Sequence, residues 1–405
     1  MSDCFKLATK PRIRYNHAKE AMHVRRTLTI IILCVMAAVF PAGAEGVSLE
    51  AVTAEQGGNR VSYPQLSGMG NAFVQDSVNA QIREKAQPYL DTLAALGAGL
   101  GGSLQAGYET WLLPSATGHD LLGVLLFAQG KLPGGRNGHQ LVPMAFDLAN
   151  AQAVAGEDFF MDAAQAQAKL EEMTDAMLSD SHSNYLDVSA LAPFPVGRAV
   201  PTGEGILFYY PEGGMTWLSG KSASVFYLYH ELAPLLNLDE GSPLGGAGIQ
   251  GKLRPSPESG RLIGETALAG RLPGLDAALG GGLGALIETH SLLYDPEGFP
   301  GGEKIQLEDD RYRGTALITA DGQTVSGLLS RRMNLFGLTT GASSRAEARQ
   351  ALGEPAGTLP MDEAAAGLYG LGAGEMDTYR FGDNDLRLVF GQDGILDAVW
   401  LSRAE

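Results

Sequence analysis

The stretch Gly205–Leu236, G-I-L-F-Y-Y-P-E-G-G-M-T-W-L-S-G-K-S-A-S-V-F-Y-L-Y-H-E-L-A-P-L-L, constrains the fold more than any other. It is the densest run of aromatic and β-branched residues in the chain, and Pro211-Glu212-Gly213-Gly214 interrupts it as a turn would. Two strands are expected, Ile206–Tyr210 and Ala223–Tyr229, followed by a helical turn at Glu231–Leu236. Their apolar residues run almost without a break instead of alternating with polar ones, so both faces need cover. Other layers of the chain must supply it.

The rest of the chain is long enough to do so. At 405 residues, 45% hydrophobic and 19% charged, with 54 Gly and 20 Pro, it reads as a globular, turn-rich protein. Its length exceeds the ~250 residues at which single cores stop growing. Residues 1–44 read as a targeting segment. Arg25 and Arg26 precede the apolar run Leu28–Phe40, and Pro41-Ala42-Gly43-Ala44 supplies an A-x-A cleavage site. That run is shorter than the ~20 residues a bilayer span needs. Cleavage after Ala44 and a secreted, extracytoplasmic location are therefore expected, with Met22 as an alternative start. Cys4 and Cys34 both fall in this segment, so the mature chain has no thiol or disulfide. Residues 1–44 hold seven Lys/Arg against two Asp/Glu, so the formal charge of −17 becomes −22 without them. Such acidity repels nucleic-acid phosphates and favours cationic partners.

Along the chain, residues 45–62 lack apolar periodicity and read as a loose arm or an edge strand. From Asn71 to Leu96, apolar residues recur every three or four positions, giving an amphipathic helix that Gly97 and Gly99 end. Gly97–Gly102 matches G-x-G-x-x-G, but a dinucleotide site needs strand before helix and the order here is reversed. Strands are expected at Ser103–Leu113, Leu121–Gln129 and Gln140–Asp147, with a Gly-rich connection at Lys131–His139 and a helix at Ala163–Leu178. Residues 239–285, dense in Gly, Pro and Leu, read as a partly ordered connector, and 286–335 as a β-rich segment with a hairpin around Asp321-Gly322. Residues 336–405 read as a small α/β module: a helix capped by Ser343-Ser344 and Glu347, then a meander over 379–401. The expected class is α+β, an antiparallel sheet with packed helices, then the connector and the C-terminal module.

Two family resemblances follow from these residues. The segment ending F-Y-Y-P-E, its Gly-containing loop and the following strand, together with F-D-L-A-N-A-Q-A-V at Phe146–Val154 and E-D-F-F-M-D after it, resemble the ectodomain of the RsiV family. The order of elements agrees over about Tyr63–Leu236. That family comprises lysozyme-sensing anti-sigma-factor ectodomains and related secreted bacterial proteins, so the resemblance implies non-enzymatic binding of a basic protein such as lysozyme, or of a cell-wall fragment. A family Gly-Ala-His-Pro-like stretch is replaced here by Gly134-Gly135-Arg136-Asn137-Gly138-His139. Loops on a rigid sheet carry recognition, which singles out Arg136, Asn137 and His139, and Glu212, Trp217 and Lys221. The C-terminal residues resemble the SmpA/BamE-like modules of cell-envelope proteins.

Chemistry has weaker signals. The five histidines outside residues 1–44 lack metal-ligand spacing, and no cofactor motif is present. Gly220-Lys221-Ser222 lacks the preceding glycine of a phosphate loop and reads as a turn. The acidic stretch 295–310, with Asp295, Glu297, Glu303, Glu308, Asp309 and Asp310, offers the alternative of a cell-wall hydrolase or metal-dependent enzyme. The trio Tyr229-His230-Glu231 offers a histidine beside a carboxylate. A purely structural envelope protein is the third reading.

Overall fold

The computed structural model describes residues 47–405 apart from 116–117, 136, 180–192, 212–223, 288–289, 291, 301, 308–309 and 405. The expected targeting segment and both cysteines lie outside the described residues, as does much of the loop after Pro211.

The chain begins with a hairpin, β1 (Ser48–Gln56) and β2 (Asn59–Ser67), paired along its whole length. Gly57 and Gly58 turn it with positive φ, which a two-residue turn between twisted strands requires. The segment expected as an arm or edge strand is thus the edge strand β1. Helix α1 (Ala72–Gly97) follows, capped by Asn71, whose side chain accepts from the Phe73 and Val74 N–H groups. Its buried residues Val74, Val78, Ile82, Ala86, Tyr89, Leu93 and Leu96 form the predicted stripe, and Pro88 does not divide it. β3 (Leu104–Leu113) returns parallel to β2, and β4 (Leu121–Lys131), β5 (Asn137–Asp147) and β6 (Gln152–Ala153) complete a six-stranded sheet. The Asp147 carboxylate closes the turn after β5, accepting from the Ala149 N–H and the Asn150 amide.

The aromatic stretch occupies the next layer. After α2 (Ala163–Ser179), β7 (Ala199–Pro201), β8 (Gly205–Tyr209) and β9 (Ser224–Leu228) form a three-stranded antiparallel sheet, and α3 (Tyr229–Leu232) is the expected helical turn. Every residue of β8 is buried. Leu207, Tyr209, Phe226 and Leu228 pack on Leu125 and Leu141 of the six-stranded sheet. Ile206, Phe208, Tyr210 and Tyr227 turn the other way, towards Phe159, Phe194 and Leu170 of α2. Four layers result, helix, sheet, sheet and helix, because neither face of the aromatic strands tolerates water. Gly123 lets the two sheets meet: a Cβ there would run into the Pro201 carbonyl and the Val200 side chain.

The Gly-rich region is not a connector. It folds into α4 (Pro243–Gly246), α5 (Ile249–Lys252), α6 (Ser259–Leu268) and α7 (Leu283–Ile287). Leu244, Ala247 and Ile249 join the core against α2, while Ile263, Ala267, Leu272 and Leu283 line the next one. Each helix is short and buries one to three residues, so no long apolar period appears in the sequence, and some of the glycines mark helix boundaries, as Gly248 does with φ +72°.

The remaining strands are β10 (Leu292–Phe299), β11 (Gly302–Leu307), β12 (Thr315–Thr319), β13 (Gly327–Ser330), the short pair β14 (Asn334–Leu335) and β15 (Leu338–Thr339), β16 (Gly357–Met361), β17 (Gly374–Phe381), β18 (Asn384–Gly391) and β19 (Leu396–Arg403). All except β14 and β15 form one eight-stranded antiparallel sheet, ordered β10-β11-β12-β13-β19-β18-β17-β16. Helix α8 (Arg345–Leu352) starts with the expected capping box between Ser344 and Glu347, and α9 (Glu363–Leu368) precedes β17. Residues 336–405 therefore do not build a sheet of their own. β19 continues the sheet through Leu328↔Leu401 and Leu329↔Trp400, which satisfies a strand edge that a free module would expose. The chain is α+β, as expected.

Replacing Gly123 by Ala should destabilise the protein by about 1–3 kcal/mol, the usual cost of overpacking. A urea denaturation midpoint unchanged by this substitution would show that the two sheets do not need the close approach.

Candidate functional site

A shallow trough of about 350 Å³ lies between the second half of α1 and the turn that joins β4 to β5. Pro88, Asp91, Thr92 and Ala95 form its helical wall, and Leu132–Gly135 with Leu100 form the other. The turn closes through the Gly135 N–H donating to the Leu132 carbonyl at 3.0 Å. Gly134 and Gly135 both have positive φ, and a Cβ on Gly134 would meet only open space, so this rim is bare backbone. Pro88 has no N–H, so it leaves the Glu84 carbonyl without its helical donor. The Asp91 carboxylate accepts from Gln87 at 2.8 Å. Leu132 and Leu100 give the trough its apolar part and Asp91 gives it an acceptor.

Two of the six recognition residues expected from the sequence, Asn137 and His139, are among the described residues. Asn137 and His139 lie on β5 itself, opposite Lys131 and Gln129. Alternation along the strand puts them on the face of Leu141, away from α1, so they do not line the trough. Arg136, Glu212, Trp217 and Lys221 lie outside the described residues.

Within the acidic stretch, the described carboxylates Asp295 and Asp310 have different partners. Asp295 pairs with Lys304 at 2.9 Å across β10 and β11, and Asp310 sits apart, accepting the Phe226 N–H. Glu308 and Asp309 lie outside the described residues. Among the described residues no group of three or more His, Cys, Asp or Glu is placed to hold a metal. His290 faces Asp276 at 3.6 Å and meets the Tyr312 ring edge-on, while Tyr312 donates to Asp276 at 2.9 Å.

The trio at the end of β9 has a different partner from the one its spacing suggests. Glu231 does not serve His230. Its Oε2 accepts the Leu228 N–H at 2.7 Å, and both its oxygens accept from Arg332, Nε at 2.8 Å and Nη2 at 2.7 Å. Burial favours the protonated acid, but the Arg332 guanidinium and the Leu228 N–H outweigh it and hold the Glu231 carboxyl below its usual range. Burial likewise favours the neutral form of His230 and lowers its pKa, against the pull of Glu231. Arg332 also donates to the Phe226 carbonyl and lies over the Phe226 ring, with Asp310 and Arg313 alongside. The signal for this cluster lay in Arg331-Arg332 directly after the apolar run Gly327–Ser330, and in Asp310-Arg311-Tyr312-Arg313 before the preceding strand.

No family model matches the chain, and no curated protein matches it. Among solved structures it is similar to a DUF3298-family protein from Bacteroides fragilis, at 15% identity over 50% of this chain and 95% of that one, with a TM-score of 0.35. A DUF3298-family protein from Pseudomonas aeruginosa matches at 15% identity over 47% and 94%, with a TM-score of 0.32. A DUF4309-family protein from Bacillus subtilis matches at 14% over 37% and 98%, with a TM-score of 0.24. At these scores the likeness says nothing of function. Among the described residues no helix is long and apolar enough to cross a membrane.

Arg332→Met should destabilise the protein by about 3 kcal/mol, because it leaves Glu231 and the Phe226 carbonyl buried without their donor. The carboxyl of Glu231 is depressed in the folded state, so its contribution is present above the ordinary 4.5 and is lost as pH falls through the lower folded-state value. Stability measured against pH should lose that acid-side component in the variant. An unchanged acid limb would assign the interaction no energetic weight.

Proposed function

We propose that the chain is an extracytoplasmic, non-enzymatic binding protein whose partner is a basic protein, a lysozyme first and a cell-wall fragment second. The observation that carries this reading is a net charge of −17 on a protein that displays an acceptor-walled trough beside a bare glycine turn. Charge of one sign speeds encounter with partners of the other and suppresses wrong ones. The six-stranded sheet, held between α1 and the aromatic sheet, fixes both walls of the trough, so binding there costs little ordering. The resemblance of Tyr63–Leu236 to RsiV-family ectodomains supports lysozyme as the partner, and that of the C-terminal residues to SmpA/BamE-like modules supports a place in the cell envelope.

Calorimetric titration of the chain without residues 1–44 against a c-type lysozyme, at moderate salt, should give saturable binding that an equally basic unrelated protein does not reproduce. Ala95→Arg places a long cation in the trough and should weaken that binding about tenfold or more. Equal heats with both basic proteins would reduce the interaction to non-specific charge.

A further inference from the structure

We propose that His230 is an acid-sensitive latch on the junction between β9 and the hairpin of β12 and β13: protonation of its imidazole draws Glu231 off Arg332. His230 lies in α3, just past the end of β9, and the residue as a whole is half-buried. Its Nδ1 is enclosed and has no hydrogen-bond partner among the described residues. A neutral imidazole tolerates this, because its one proton can sit on Nε2. The imidazolium carries a proton on both ring nitrogens and so places an N–H at Nδ1.

The surrounding charges are already matched. Glu231 stands beside His230 on α3, Arg332 reaches in from the flank of β13, and Asp310 and Arg313 come from the turn before β12. Both Glu231 oxygens accept from Arg332, and Oε2 also takes the Leu228 N–H. Asp310 accepts the Phe226 N–H and faces Arg313 at 3.5 Å. Arg313 Nε is itself buried without a hydrogen-bond partner among the described residues, so the cluster has no acceptor to spare. A proton on His230 therefore adds a third cation to two carboxylates, together with a donor that nothing receives. Glu231 is the adjacent carboxylate, and turning it to the imidazolium is the nearest relief. Arg332 then loses its bidentate partner, and the flank of β13 loses its grip on β9.

The pH window follows from the direction of each shift. Burial and the Arg332 charge lower His230 from 6.5, and Glu231 is lowered from 4.5. A lowered histidine contributes stability that is complete above 6.5 and is lost as pH falls through its folded-state value. The latch opens in mild acid, while Glu231 is still ionised. It is independent of the partner proposed above.

Proton NMR of the protein reads both ends of the latch. The His230 Cε1–H shift should inflect below 6.5. The Arg332 Nε–H signal, displaced by its bond to Glu231, should move towards the position of an exposed arginine with the same midpoint, about nine-tenths complete one pH unit below it. In His230→Gln that movement should wait for the lower pH at which Glu231 takes its proton. An inflection of His230 at or above 6.5, or an Arg332 signal that stays displaced once His230 is fully protonated, would overturn the proposal. So would an Arg332 movement in His230→Gln over the same range as in the unaltered protein. The first two readings need no variant, so the test stands if His230→Gln fails to fold.

Discussion

A strand at the edge of a sheet presents N–H and C=O groups that need partners, and β9 meets this need with side chains. The Phe226 N–H donates to Asp310, the Phe226 carbonyl accepts from Arg332, and the Leu228 N–H donates to Glu231, which in turn grips Arg332. Asp310 lies just before β12 and Arg332 just after β13, so the flanks of one hairpin are fixed to the edge of the aromatic sheet. Since β13 pairs with β19, the whole eight-stranded sheet is held there. Arg311 adds a bond to Glu109 of β3 at 2.9 Å, and the Asn334 amide donates to the Lys252 carbonyl at 3.0 Å. Ion pairs at such a junction give little net stability over an apolar contact, but losing one partner strands the others. Their role here is to fix which surfaces meet.

With that junction in place, the trough and the eight-stranded sheet rest on separate cores. The trough belongs to the layer pair of α1 and the six-stranded sheet, whose core runs from Val61 to Leu132. The eight-stranded sheet has its own cores, with Phe390 on one face and Met361 on the other.

Local structure was legible in the sequence where one residue pattern decides it. The stripe of α1, the Ser344 cap and the double cover of β8 and β9 all follow from spacing and side-chain chemistry within a few residues. The glycine region misled because four short helices bury one to three residues each, which leaves no period to read. The boundary expected at 335–336 misled because the pairing of β13 with β19 joins residues more than sixty positions apart, and antiparallel partners leave no mutual mark in a single sequence. Asn137 and His139 were read as loop, but β5 begins at Asn137 and its alternation turns them away from α1. The β9 clamp was missed because Glu231 was weighed against its neighbour His230, while its partner stands a hundred residues on.

The central claim is that the sealed edge of β9 makes both halves open together. Native-state hydrogen exchange in rising denaturant tests it at the Phe226 amide, against Val124 in β4 and Leu388 in β18. Cooperative coupling predicts that all three amides exchange with the same opening free energy. Exchange of Phe226 in a separate opening of lower free energy, while Val124 and Leu388 stay protected, would contradict it.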